Sequence, residues 1–105
     1  EVFNDLKYGY REKFYQKAIA QELKINKIKF KKELYIPLFY KGKRIGKYFI
    51  DFLIDDKIAL EIKVANDFYD SHIAQILSYL EAYEIRLGIL VLITYRGIKF
   101  KRIIN

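Results

Sequence analysis

Apolar residues recur along this chain with two different periods. Residues 10 to 24 carry Tyr15, Ile19 and Leu23 four apart, flanked by Phe14 and Ala18, the spacing of one helix face. Asp70 or Ser71 can cap a second helix, in which Ile73, Ile76, Leu77 and Leu80 form the buried stripe, running to about Arg86. Val2, Phe3 and Leu6 read as the end of an earlier helix, closed by Gly9. Elsewhere the period is two. Residues 27 to 40 hold one or two strands, alternating in KIKF and interrupted near Pro37, and KGKRIG follows as a basic turn. Residues 48 to 63, YFIDFLIDDKIALEIK, read as two strands joined by an acidic turn. LGILVLITY is a continuous apolar run suited to a central strand, and IKFKRII, after a turn at Gly97, is a last one. The order α, several β, α, β, β predicts an α/β domain, a mixed central β-sheet flanked by α-helices.

Three charges interrupt the 48–63 hairpin. Alternation puts Tyr48, Ile50, Phe52 and Ile54 on one face of its first strand, and Ile58, Leu60, Ile62 and Val64 on one face of its second. Joining these into one core requires an odd number of loop residues, and Asp55, Asp56 and Lys57 supply it. That register sets Phe52 beside Leu60 and, on the opposite face, Asp51 beside Glu61, with Lys63 projecting from the same face. Adjacent carboxylates repel unless a cation lies between them. Mg2+, a hard ion that takes oxygen ligands, fits, and the Lys63 ammonium could then orient a water or stabilise charge on a phosphate. A salt bridge between Lys63 and the two acids explains the same residues, and the hairpin alone leaves both readings open.

Composition narrows the chemistry. The 105 residues make one domain, and a hydrophobic content of 52% is enough for a core. There is no cysteine and a single histidine, which excludes disulfides, thiolate catalysis and a cysteine-ligated zinc site. No apolar run approaches the roughly 18 residues of a membrane-spanning helix, and no signal peptide is visible. A soluble cytoplasmic protein is therefore expected, with no membrane partner. The chain starts at Glu1 without methionine, so sequence upstream and a truncated first helix are expected. A net charge of +7 suits either a polyanionic partner or simple solubility, so its placement decides.

Asp51, followed at strand spacing by Glu61, Ile62 and Lys63, resembles the PD-(D/E)xK nuclease superfamily, although the literal Pro-Asp pair is absent. GYREKFY fits G-x-x-E-x-x-Y with Gly9, Glu12 and Tyr15, and resembles the GxxExxY family, a branch of that superfamily. IPLFYKGKRIGKYFIDFLIDDKIALEIK is similar to that family's strand block. HIAQILSYL is similar to its helix, with Gln75 and Tyr79 forming the Q-x-x-x-Y pattern also seen in RecB-like nucleases. The motifs fall in the family's order over nearly the whole chain. Two features depart from it: the helix before the glycine is only partly present, and Phe49 stands where a basic residue often contacts phosphate.

The resemblance implies a restriction-endonuclease-like core and a nuclease dependent on Mg2+ (or Mn2+) that hydrolyses DNA or RNA. Asp51 and Glu61 would hold the metal, helped by the Ile62 carbonyl, and Glu12 would support the metal or its water. Lys63 would position the attacking water. Gln75 would fix Lys63 or touch nucleic acid, and Tyr79 would contact a phosphate. His72, one turn before Gln75, reads either as a nucleic-acid contact or as part of a polar helix edge. Tyr15 continues the apolar stripe and reads as a packing residue with its hydroxyl bonded.

Basic residues crowd residues 24 to 47, with a second cluster at Arg96, Lys99, Lys101 and Arg102. Lys41, Lys43, Arg44 and Lys47 are expected to contact phosphates, whereas Lys27 to Lys32 also suit a lysine-guarded strand edge. The expected partner is nucleic acid, DNA ahead of RNA, with a homodimer left open. Two other readings remain: a nucleic-acid-binding module with the nuclease fold but no turnover, and a basic subunit that docks on another protein.

Overall fold

A computed structural model describes residues 9–105, and the helix end expected over residues 1 to 7 lies outside them. Helix α1 spans Glu12–Ile25 and buries Tyr15 and Ala20, with Ile19 and Leu23 half-buried beside them. It stops at Asn26, whose backbone and side-chain N–H groups both donate to the Glu22 carbonyl. The strands are β1 (Phe30–Tyr40), β2 (Lys43–Ile54), β3 (Ile58–Val64), β4 (Leu87–Thr94) and β5 (Gly97–Ile104). Helix α2, Asp70–Tyr83, lies between β3 and β4.

The strands form one mixed sheet in the order β1-β2-β3-β4-β5. Only β3 and β4 are parallel, and α2 is the crossover that a parallel pair requires. Pro37 does not divide β1, because β1 is an edge strand and can spare an N–H. Lys41 and Gly42 both take left-handed φ (48° and 79°), the two-residue turn that matches strand twist. The β2–β3 loop has the expected three residues, and Phe52 pairs with Leu60 as the alternation requires.

Among the described residues, each face of the sheet carries one helix. Under α2 pack Ile36, Ile50, Leu53, Ala59, Ile76, Leu80 and Leu90; under α1 pack Tyr15, Phe52, Leu60, Ile62, Val91 and Ile93. Gly88 lets α2 sit close, since a Cβ there would lie 2.5 Å from the Ile76 Cγ2 methyl. Helix α2 begins at Asp70 with no side-chain cap, so Asp70 favours the helix dipole from its first turn instead of capping it. The helix ends at Tyr83, three residues short of Arg86, where Glu84 turns left-handed. Among the described residues no helix is long and apolar enough to cross a membrane.

One expectation about β2 is corrected. Tyr48 and Ile50 pack on the α2 side, but Phe52 and Ile54 pack on the α1 side, so the four do not share a face. The alternation breaks at Asp51. Opposite it in β1, Glu33 adopts φ 54°, and the ladder passes from Lys32–Phe52 to Leu34–Ile50 without pairing the two residues between. A left-handed residue inside a strand turns the chain locally, as a bulge does. In β1 the apolar side chains likewise change sides across Glu33, from Phe30 under α1 to Leu34 and Ile36 under α2.

Candidate functional site

The β2–β3 ladder stops at Phe52–Leu60, and beyond it the two strands diverge into a fork. Backbone N–H groups on either side of the fork have lost ladder partners and must find others. Two carboxylates supply them. Ile62 N donates to Asp51 Oδ2 at 2.8 Å, and Asp51 N donates to Glu61 Oε1 at 3.2 Å. The acids inside these strands thus replace the missing ladder carbonyls.

The arrangement has an electrostatic consequence. Glu61 is 1% exposed and among the described residues its Oε2 has no hydrogen-bond partner, while the Lys63 ammonium stands 4.0 Å away, an attraction rather than a hydrogen bond. Burial pushes the Glu61 carboxyl up to about 9, the neighbouring Asp51 side chain adds to the rise, and Lys63 and the Asp51 backbone N–H oppose it. Without a cation the Glu61 carboxyl therefore keeps its proton at neutral pH.

Helix α1 contributes two residues one turn apart, Glu12 and Gln16. Gln16 Nε2 donates to Asp51 Oδ1 at 2.8 Å and reaches Glu12 Oε1 at 3.5 Å. Burial raises the Glu12 carboxyl, against the pull of Lys63; Asp51 adds to the rise, and the Val64 N–H that Glu12 accepts opposes it. Gln16 was not among the residues singled out from the sequence. Its spacing from Glu12 was the available signal, since i and i+4 share a helix face. Among the described residues, no group of three or more His, Cys, Asp or Glu side chains is gathered as a ready metal cage. Asp51 and Glu61 meet, while Glu12 is held toward Val64.

The residues expected from α2 divide. Gln75 Nε2 donates to the Phe49 carbonyl at 3.3 Å, tying the helix to β2 two residues before Asp51, and makes no bond to Lys63. His72 is half-buried with an unpartnered Nδ1; burial and the Lys63 charge lower its pKa, so it is neutral at neutral pH. Tyr79 is 2% exposed, packed with Ile36 and Ile50. Its ring is placed for packing, and it stacks on Tyr83 with ring centroids 4.7 Å apart. Tyr15 is fully buried and its hydroxyl accepts from Tyr10 N at 3.4 Å, as expected of a packing residue. Lys41, Lys43, Arg44 and Lys47 are all exposed around the hairpin turn. Arg44 precedes Asp51 by seven positions on one strand, a span of about 23 Å. The basic turn is therefore remote from the fork.

A family model described as the PD-(D/E)XK nuclease superfamily matches residues 1–103. The structure is similar to the crystal structure of SSO0001, with a TM-score of 0.67 and 25% identity, covering 89% of this chain and 49% of that one. It is also similar to an alkaline exonuclease (LHK-Exo) from Laribacter hongkongensis, with a TM-score of 0.57 and 15% identity, over 83% of this chain and 52% of that one. The second likeness is one of fold alone. The chain spans about half the length of each of these structures. No curated protein matches it.

Proposed function

The chain belongs to the PD-(D/E)XK nuclease superfamily and has its restriction-endonuclease-like α/β fold, and on that premise we propose that it hydrolyses phosphodiester bonds in nucleic acid with a divalent ion, Mg2+ or Mn2+. The observation that carries this reading is the Asp51–Glu61 fork: each acid is held by a backbone N–H at the end of the ladder, and the buried Glu61 has an oxygen without a hydrogen-bond partner among the described residues. A pair of hard-oxygen donors, of which Glu61 stays neutral for want of a cation, suits an ion that takes oxygen ligands. Asp51 and Glu61 would hold it.

The ion, when bound, supplies electrophilic polarisation of the phosphodiester. The remaining roles belong to the chain. Lys63 presents an ammonium beside the fork, where negative charge grows on the phosphate in the transition state. Glu12, with its raised pKa, can hold a proton taken from the attacking water. Gln16 fixes Asp51 and Glu12 relative to one another, and Gln75 anchors β2 through Phe49. Neutral His72 offers the strand a hydrogen bond but no charge.

The test is cleavage of labelled single-stranded DNA, duplex DNA and RNA with Mn2+, beside a Glu61→Gln control. Cleavage that needs the ion and is lost in the control is the expected result. Tight binding without cleavage above the control would leave the binding module as the function. That second reading draws on one observation, the lack of a third acid gathered at the fork among the described residues.

A further inference from the structure

Asp51 borders a second space. Between α1 and the first hairpin lies a cavity of about 110 Å3, where one water needs roughly 10–15 Å3. Lys13, Gln16 and Lys17 of α1, Lys32 and Glu33 of β1, and Asp51 of β2 line it. Three lysines and two acids thus border it, the Lys13 ammonium resting over the Phe14 ring, and one of the acids, Asp51, already has both oxygens bonded to Gln16 and Ile62. The ion pairs within 4 Å among the described residues are Lys29–Asp56, Lys31–Asp56, Lys57–Asp55 and Lys63–Glu61. Lys13, Lys17 and Lys32 take part in none of them.

Lys13 and Lys17 are i, i+4 on a helix, where like charges destabilise, and Lys32 adds a third from across the groove. Such a set is relieved by an anion between them. A phosphate suits three mobile ammonium donors, which bind it as point charges. Gln16 joins this cavity to the fork, because the side chain that lines it also holds Asp51.

We propose that this cavity is a phosphate subsite, which takes one backbone phosphate of the nucleic-acid strand immediately beside the phosphate presented to Asp51 and Glu61. The proposal rests on the nuclease reading for the identity of the strand, but it concerns binding and not turnover. It sets the direction of the strand's approach: along α1 and β1 into the fork, with the basic turn about 23 Å away as a distal contact.

The experiment measures binding of a labelled single-stranded oligonucleotide to the full chain without divalent ions, so that loss of cleavage cannot masquerade as loss of the subsite. The variant Lys17→Gln/Lys32→Gln should bind about tenfold more weakly at low salt, with a log–log salt slope smaller by roughly 0.7, one single-strand phosphate contact. Lys99→Gln/Lys101→Gln, with the same change in net charge on β5, should lose less than twofold. Glu33→Gln, which removes the one carboxylate not already engaged, should bind more tightly. An oligonucleotide carrying a single neutral methylphosphonate, moved along the strand, should show one position that weakens the wild type but not the Lys17→Gln/Lys32→Gln variant. Equal losses in the two double variants, or parallel losses at every methylphosphonate position, would overturn the subsite. So would inorganic phosphate that saturates the cavity at millimolar concentration without displacing the oligonucleotide. A normal subsite in a chain that never cleaves would sink the nuclease reading alone.

Discussion

Asp51 and Glu61 face each other where the β2–β3 ladder ends, with Asp51 N donating to Glu61 Oε1 at 3.2 Å and the Asp51 carboxylate accepting from the next residue of β3, Ile62, at 2.8 Å. The two acids bond the backbone at the fork, and burial keeps the Glu61 carboxyl protonated at neutral pH. Stability and ion binding are therefore linked through one carboxyl.

The linkage has a definite sign. The Glu61 carboxyl lies at about 9 in the folded chain against an ordinary 4.5, so its stabilising contribution is full below about pH 4.5 and is lost as pH rises through 9. The ion-free chain should lose Tm across that window. Mn2+ should restore it, with a larger gain near pH 8.5 than near pH 6, because the ion displaces the Glu61 proton. Glu61→Gln should flatten both the pH dependence and the Mn2+ gain. Thermal melts at the two pH values, with and without Mn2+, check this; an equal gain at both would contradict it.

Gln16 gives a prediction about positioning. Removing its donation to Asp51 with Gln16→Ala should lower kcat about 10–100-fold, the usual effect of losing a group that orients a metal ligand. KM and oligonucleotide affinity should stay within about threefold and stability should fall by about 1 kcal/mol. A loss confined to KM would show that Gln16 contacts the strand instead.

What the sequence made legible was periodic. The α2 stripe, the three-residue loop, the Phe52–Leu60 register and the continuous apolar β4 follow from alternation, and each stands in the structure. What it hid was aperiodic. Glu33 takes a left-handed φ without being Gly, Asn or Asp, so no turn residue marks the place where β2 switches faces. The register survived that switch because the pairs on both sides of it keep the same pairing. Tyr79 sits on the α2 flank that also carries Gln75, and spacing alone could not tell a residue one turn deeper in the core from one at its rim. Gln16 lay on the face of a residue already chosen and needed only the i+4 step.

Gly88 tests the close seat of α2. A methyl at this position meets Ile76 Cγ2 at 2.5 Å and Leu80 Cδ1 at 3.3 Å, and the first is a branched methyl with little freedom to withdraw. Gly88→Ala should destabilise the chain by about 1–3 kcal/mol, the range for overpacking. Urea denaturation would show it as a lower midpoint with an unchanged m-value; a neutral or stabilising result would mean that α2 can shift outward freely.

Lys63 separates transition-state chemistry from strand binding. Its ammonium is the only cation within 4 Å of a fork carboxylate among the described residues, and it stands 4.0 Å from the unsatisfied Glu61 Oε2. If it acts on charge that develops on the phosphate, Lys63→Ala should lower kcat by about 10²–10³-fold while oligonucleotide affinity changes less than threefold. Lys63→Arg should recover only part of the rate, because a planar guanidinium cannot reproduce a compact ammonium at the same point. The substitution also removes the charge that opposes the rise in the Glu61 pKa, so ionising Glu61 becomes harder. Without an ion, the Tm of Lys63→Ala should therefore fall more, relative to wild type, near pH 8.5 than near pH 6. The two measurements probe the same charge in the presence and absence of substrate. Parallel losses in kcat and in affinity would instead make Lys63 one more phosphate contact, and the fork would lack a group that favours the transition state.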